Sequence, residues 1–272
     1  MKISEVAELT GLSVSTIRYY EKSGLCPFIQ RGTDGKRRFS KTDADWLELL
    51  ASLRATRMPM SEMRIFADLY ASDMRIIVIG ASGDIGRAAR KELEQRHEIV
   101  TVGRSAGDFQ VDVGDLNAVK SLYDKVGTID AVVSCAGDAT FAPLSEMDQE
   151  KFMVGLRQKV MGQVNLVLAG RNVISDGGSF TLTSGVLDRD PIRMGSNAAT
   201  ANGALAGFVK GAAIEMPRGL RVNVVSPGML DISAPRYGKW FHGHKPVPSH
   251  DVGLAYAKCV EGALTGQVVI VE

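Results

Sequence analysis

The sequence predicts an α/β protein in two parts, a small helical domain with a β wing and then a doubly wound parallel sheet. Three observations predict it. Two short amphipathic runs are separated by Gly11 and followed by Asp34-Gly35, a hairpin signal between basic flanks. A buried run, Arg75 to Ile79, enters a glycine turn that opens a helix. From there to Val268–Val271, apolar strand segments alternate with helical ones, as in a parallel sheet covered by helices on both faces.

Composition agrees with a globular protein. The 272 residues are 45% hydrophobic, enough to bury two cores. The net charge is only +1, yet residues 13 to 41 hold seven bases against two acids, a local cluster that attracts polyanions. Three widely spaced cysteines form neither a disulfide framework nor a compact zinc site. The histidines offer only His242-x-His244, and no metal is assigned. The N-terminal MKISEVAELTG has no apolar signal core, and no stretch approaches the roughly 20 apolar residues that span a bilayer. The expected setting is the reducing cytoplasm, with no membrane partner.

In the first part, residues 1–70, Ser4 starts a run with Val6, Ala7 and Leu9 inward, and Gly11 breaks it. Ser13 caps a second run carrying Ile17, Tyr20 and Leu25. Such a pair lays its second helix in a major groove, where Ser13, Ser15 and Thr16 face base edges and Arg18 reaches phosphate or guanine. Gln30 to Phe39 reads as a basic wing along the phosphate backbone. Ser40 opens a third helix with Trp46, Leu47 and Leu50 at helical spacing, and Met60 a fourth.

ISEVAELTGLSVSTIRYYEKSGL, GKRRFSKTDADWLELL and MPMSEMRIFADL together resemble the DNA-binding domain of MerR regulators. The resemblance implies a winged helix-turn-helix on double-stranded operator DNA. It assigns base and phosphate contacts to Ser15, Thr16, Arg18, Tyr19 and Tyr20, and the wing to Lys36, Arg37 and Arg38. MerR regulators usually continue into a long dimerising helix. Here Ala71-Ser72-Asp73 leads straight into a strand, so the pairing of two reading heads falls to the second part.

That second part, residues 74–272, opens as βαβ: strand Arg75–Ile79, turn GASGDIG, a helix to about Gln95, and a strand His97–Val102. Gly80, Gly83 and Gly86, with Ser82, Asp84 and Ile85 between them, bring helix-start amides toward a diphosphate, and Gly86 lets helix pack on strand. The second strand ends at Arg104 and Ser105, with no carboxylate for a ribose 2′-hydroxyl. Those two residues suit a 2′-phosphate, which favours NADP(H) over NAD(H), unless Arg104 is merely a solvated base. Further strands are Ala131–Ser134, Ser179–Thr183, Arg221–Val225 and Val268–Val271.

GASGDIG, Asp112-Val113, Cys135-Ala136-Gly137, Thr183-Ser184-Gly185, NGALAGFVKGAAIEM and RVNVVSPG occur in the order of the short-chain dehydrogenases/reductases, which this segment resembles. The resemblance implies a Rossmann-type sheet holding a nicotinamide dinucleotide. It places the adenine site at Asp112 and Val113, the loop beneath the cofactor at Cys135, Ala136 and Gly137, and the nicotinamide edge at Pro227 and Gly228. It also implies a homodimer, or higher, through the helices bearing Lys159 and Asn202.

The chemistry departs from the family's. There a tyrosine supplies the proton as hydride moves, worth roughly 10² to 10⁴ in rate, and a lysine four residues on holds the ribose. Ser184 stands at the assisting serine, but aligning NGALAGFVKGAAIEM puts Ala198 at the tyrosine and Asn202 at the lysine. A one-residue slip substitutes Asn197, and none of the six tyrosines lies on that helix. Lys159, in Lys159-Val160-Met161-Gly162, occupies the place of the family's asparagine. Either it supports the cofactor or acts as the acid once desolvated, or the site is degenerate. Tyr237, in the segment that covers substrate, is a substitute donor or lid surface.

The expected function is therefore a DNA-binding transcription regulator of MerR type. Its second domain senses NADP(H), or a small-molecule ligand beside it, with little or no classical dehydrogenase activity. The alternative is an NADP(H)-dependent oxidoreductase with an atypical site, fused to a DNA-binding domain.

Overall fold

A computed structural model describes residues 1–26, 29–31, 37–71 and 73–272, and the chain divides into two compact units, Met1–Ser72 and Asp73–Glu272.

In the first unit, α1 (Ile3–Thr10) starts one residue before the expected Ser4, because the Lys2 amide donates to the Glu5 carboxylate at 2.8 Å. Gly11, at φ 68°, ends it in the left-handed region where glycine carries no Cβ penalty. Leu9, expected inward, is 61% exposed; Ile3 packs on the core instead. Ser13 caps α2 (Val14–Lys22), its Oγ accepting from the Thr16 amide at 3.0 Å.

Strands β1 (Gln30–Arg31) and β2 (Arg37–Arg38) pair antiparallel, with Gln30 opposite Arg38. The Asp34-Gly35 turn lies outside the described residues. A reciprocal cap between Ser40 and Asp43 starts α3 (Lys41–Ala55), and α4 (Met60–Ala71) follows. Val6, Ile17, Tyr20, Leu25, Trp46 and Met63 belong to one core, where the Trp46 indole donates to the Leu25 carbonyl at 2.7 Å.

The second unit is a parallel seven-stranded sheet in the order β5-β4-β3-β6-β7-β8-β9. Its elements run β3 (Arg75–Ile79), α5 (Asp84–Leu93), β4 (Glu98–Gly103), β5 (Phe109–Gln110), α6 (Leu116–Val126) and β6 (Ala131–Ser134). They continue α7 (Gln149–Val154), α8 (Gly162–Gly170), β7 (Ser179–Thr183), α9 (Ser196–Ala213), β8 (Arg221–Pro227), α10 (Ala234–Tyr237), α11 (Ser249–Glu261) and β9 (Val268–Val271).

Strand periodicity sorts the side chains into two cores. Ile76 and Val78 face α5 and α11, whereas Ile77 and Ile79 face the side of α6, α8 and α9. The edge strand β5, two residues long, was not anticipated. His97, read as the start of the second strand, precedes β4; its Nε2 meets Glu261 at 3.0 Å.

Between α7 and α8 the chain widens into a π-helical stretch, Gly155–Met161. Asn197 at the start of α9 accommodates it: its Oδ1 accepts the Gly155 amide at 3.1 Å and its Nδ2 donates to the Phe152 carbonyl at 2.6 Å. The same Oδ1 accepts the Thr140 amide at 2.9 Å. A side chain on Gly155 would collide with this amide, which fixes glycine there.

Candidate functional site

The first candidate surface is the start of α2. The Ser13 hydroxyl caps the helix and lies 2.7 Å from both the Ser15 and Thr16 hydroxyls, so it orders the first turn. Ser15, Arg18 and Tyr19 are exposed and Thr16 half-buried. Tyr20, implied as a DNA contact by the family resemblance, is a correction: at 4% exposure it is core, three residues along the helix from Ile17 and on the same face. Burial raises its phenol pKa.

In the wing, Arg37 is half-buried and paired with Glu21 of α2, so it fastens wing to helix; Arg38 is exposed. Lys36 lies outside the described residues.

The second candidate site lies along the edge where the C-terminal ends of β3, β4, β6, β7 and β8 meet. The strand order reverses direction at β3, with β4 on one side and β6 on the other, the place where open parallel sheets leave a crevice. Gly80, at φ 76°, makes the turn after β3, and a Cβ there would lie 3.0 Å from the Ala136 amide. A Cβ on Gly86 would strike the Gly80 carbonyl. Among the described residues no side chain caps α5, so its first-turn amides are available to another acceptor, which fits a diphosphate.

Ser82 and Gly83 are exposed there, and Ile85 is half-buried. Asp84 offers its amide alone, since its carboxylate is taken by Arg87, Arg236 and Ser233, the last donating at 2.6 Å. These partners, the Ser233 hydrogen bond foremost, lower the Asp84 pKa. Ser233 and Arg236, which fasten the segment after β8 to the glycine turn, were missed in the sequence.

At the far end of β4, Arg104 and Ser105 are exposed. The Arg104 guanidinium reaches Asp138 at 3.1 Å and Gln158 at 3.0 Å, two partners that spacing did not reveal. Asp112 is exposed, with Oδ1 accepting the Gly114 amide at 2.9 Å. Val113 is buried, and Asn165 donates to its carbonyl at 3.0 Å. A cavity of about 500 Å³ adjoins this end, lined by Asp112, Asp115, Arg157, Gln158 and Asn165 among others.

Cys135 and Ala136 are half-buried beneath the crevice, and burial pushes the Cys135 thiol up to about 12. Gly137, at φ 153°, lies against Lys159, whose Cγ a Cβ would approach to 2.7 Å. At the other end Pro227 is buried, and the Gly228 amide donates to the Val271 carbonyl at 2.8 Å.

The centre of the crevice holds Lys159 and Asn202. Lys159 Nζ donates to the Ser184 carbonyl at 3.0 Å, and Asn202 Nδ2 donates to the next carbonyl, Gly185, at 3.0 Å. The two residues therefore converge on one loop. Desolvation brings the Lys159 amine down to about 8, against a smaller raising effect of Asp188. Ser184 is 3% and Asn202 2% exposed, yet among the described residues Ser184 Oγ and Asn202 Oδ1 have no hydrogen-bond partner.

One turn before Asn202, Ala198 packs in an apolar cluster with Val186 and Leu187, against which Ile192 and Phe241 lean. Tyr237 is exposed near Trp240, with its ring under Arg236, and lies outside that cluster.

The family model described as enoyl-(acyl carrier protein) reductase matches residues 69–243, and that of the MerR HTH regulatory proteins matches residues 1–68. The protein lin1944 from Listeria innocua superposes with a TM-score of 0.72 at 47% identity, over 73% of this chain and 100% of that one. A small-chain dehydrogenase in complex with NADPH superposes with a TM-score of 0.65 at 25% identity, over 74% and 97%.

An uncharacterized HTH-type regulator of Haemophilus influenzae is 40% identical over 65 residues, 24% of this chain and 48% of its own length. AdhR of Bacillus subtilis, an HTH-type transcriptional regulator, is 31% identical over 77 residues, 28% of this chain and 55% of its own. The chain thus spans about half the length of these curated relatives. Among the described residues no helix is long and apolar enough to cross a membrane. The chain belongs to the enoyl-(acyl carrier protein) reductase family of short-chain dehydrogenase folds, and carries a MerR-type helix-turn-helix domain at its N-terminus.

Proposed function

We propose that the chain is a DNA-binding transcription regulator whose second domain binds NADP(H) as a sensor, with little or no classical dehydrogenase activity. The observation that carries this reading is the convergence of Lys159 and Asn202 on the Ser184-Gly185 loop beside an apolar cluster at Ala198. The place where a phenol would deliver a proton is filled with hydrocarbon, while the glycine turn keeps its form. Asn202 Oδ1, buried and without a partner among the described residues, is disposed to accept a ribose hydroxyl. The cofactor, when bound, would supply a nicotinamide redox state to be read.

Arg104 favours the 2′-phosphate of NADP(H) by exchanging Asp138 and Gln158 for it. Double-stranded DNA meets Ser15, Thr16, Arg18 and Tyr19, with Arg38 on the wing. Two reading heads are paired by dimerisation through the second unit. Met161 and Leu168 are exposed about α8, and the exposed Gly203, Gly207 and Gly211 of α9 have open space above them, which supports that surface.

The test is a gel shift on DNA upstream of the protein's own gene, with and without NADPH and NADP⁺ at fixed salt, because phosphate contacts are salt-dependent. Affinity that changes with either cofactor sustains the reading, and specific but indifferent binding removes the sensor. One observation favours the oxidoreductase alternative: an amine near 8 is suited to act as a general acid. NADPH oxidation over a panel of carbonyl compounds, lost in Lys159→Met, would establish that reading instead.

A further inference from the structure

The crevice contains a corner whose chemistry neither DNA nor dinucleotide uses. Lys159 carries its ammonium into a desolvated place, gives one N–H to the Ser184 carbonyl and keeps the others. Among the described residues no carboxylate pairs with it; the nearest acid in effect, Asp188, is itself paired with Arg189. The Ser184 hydroxyl is buried with no partner among the described residues. Buried polar groups left unpaired cost stability, so such a pair is a candidate for satisfaction from outside. Next to it stands the wall of Val186, Leu187 and Ala198, with Phe241 of the covering segment packed on it.

We propose that the Lys159–Ser184 corner is a binding site for a small carboxylate with a short apolar tail, held without being chemically changed. The proposal rests on the sensor reading and names its effector. The Lys159 ammonium, bonded to the Ser184 carbonyl, and the unpaired hydroxyl of that same serine offer two donors, which suits the two oxygens of a carboxylate; a phosphate would bring a third oxygen beside hydrocarbon. The anion supplies the counter-charge that Lys159 lacks, and the tail lies against the wall of Val186, Leu187 and Ala198. A carboxylate cannot accept hydride as a ketone does, so it dwells beside the nicotinamide as a ligand. The Ser184 hydroxyl is buried and Lys159 is half-buried, so the anion approaches from the lysine side.

The experiment is calorimetric titration of the full chain, saturated with NADP⁺, with butanoate and with butanamide, its uncharged counterpart. Butanoate is expected to bind at least about tenfold more tightly than butanamide. Lys159→Met is expected to remove that preference, and Ser184→Ala to weaken butanoate by about fivefold. Thermal unfolding of each variant verifies its fold, and Ser184→Ala keeps the proposal testable if Lys159→Met does not fold. Equal binding of acid and amide, absence of butanoate binding, or wild-type binding by either variant overturns the proposal. Binding of NADP⁺ is measured first. If it is absent while butanoate still binds through Lys159, the sensor reading of the dinucleotide fails and the carboxylate site stands.

Discussion

Lys159→Met removes a cation from a place where the fold opposes it, and the effect on stability has a definite sign. Burial lowers the amine from 10.5 to about 8. Below pH 8 the folded and unfolded chains both hold the proton, and the folded chain bears the full penalty. Between pH 8 and 10.5 the unfolded chain binds more protons than the folded one, so stability rises with pH. At about 1.4 kcal/mol per pKa unit, the penalty is ~3 kcal/mol at neutral pH. Methionine fills a similar volume but forfeits the hydrogen bond to the Ser184 carbonyl, about 1 kcal/mol. The variant should therefore be more stable by about 2 kcal/mol at pH 7, a gain that fades to near zero by pH 10. Urea unfolding of wild type and variant at both pH values, followed by circular dichroism and analysed for the second unit's transition, checks it. A variant less stable at pH 7, or a gain that does not change with pH, would refute the reasoning.

Other consequences are as direct. Tyr20→Ala should destabilise the first unit by about 3 kcal/mol in thermal unfolding, because it opens a cavity beside Ile17. Tyr19→Ala should leave stability unchanged and weaken DNA binding in the gel shift. Arg104→Ala should weaken NADPH about tenfold in a fluorescence titration while leaving NADH little changed, since one charge-assisted contact is lost. Gly207→Glu should convert the expected dimer to monomer by light scattering, without loss of NADPH binding.

Much of this molecule was legible because it is local. The buried run of β3 flows into glycines and a helix, Ser13 caps the helix it was expected to cap, and the third helix begins at Ser40 as read. Tyr20 is instructive: its spacing from Ile17 placed it inward, and the family resemblance then set it against DNA. The spacing was right, because which face a helical residue occupies follows from period, whereas a family contact list averages over members. The π stretch was illegible for the opposite reason. It is held by Asn197, 42 residues further along the chain from Gly155, and no window of sequence carries that distance. The Arg104 partners come from elsewhere, Asp138 from the segment after β6 and Gln158 from the π-helical stretch, and were hidden in the same way. The identities at 159, 198 and 202 could be read, but not that two of them would meet on consecutive carbonyls.

The gathering of the crevice on one sheet edge also bears on how the second unit folds. Gly80, Cys135, Ser184 and Gly228 come from four strand ends spread over more than half the chain, joined through parallel pairings between non-adjacent segments. Closing such long loops is slow, because their entropy is lost before the contacts repay it. The Gly228 amide has its acceptor only once β9 has docked, since that acceptor is Val271. Helices α5 and α6 can form early from local contacts, whereas the crevice arises at the last cooperative step. Recovery of dinucleotide binding after dilution from denaturant should therefore lag behind recovery of helical signal.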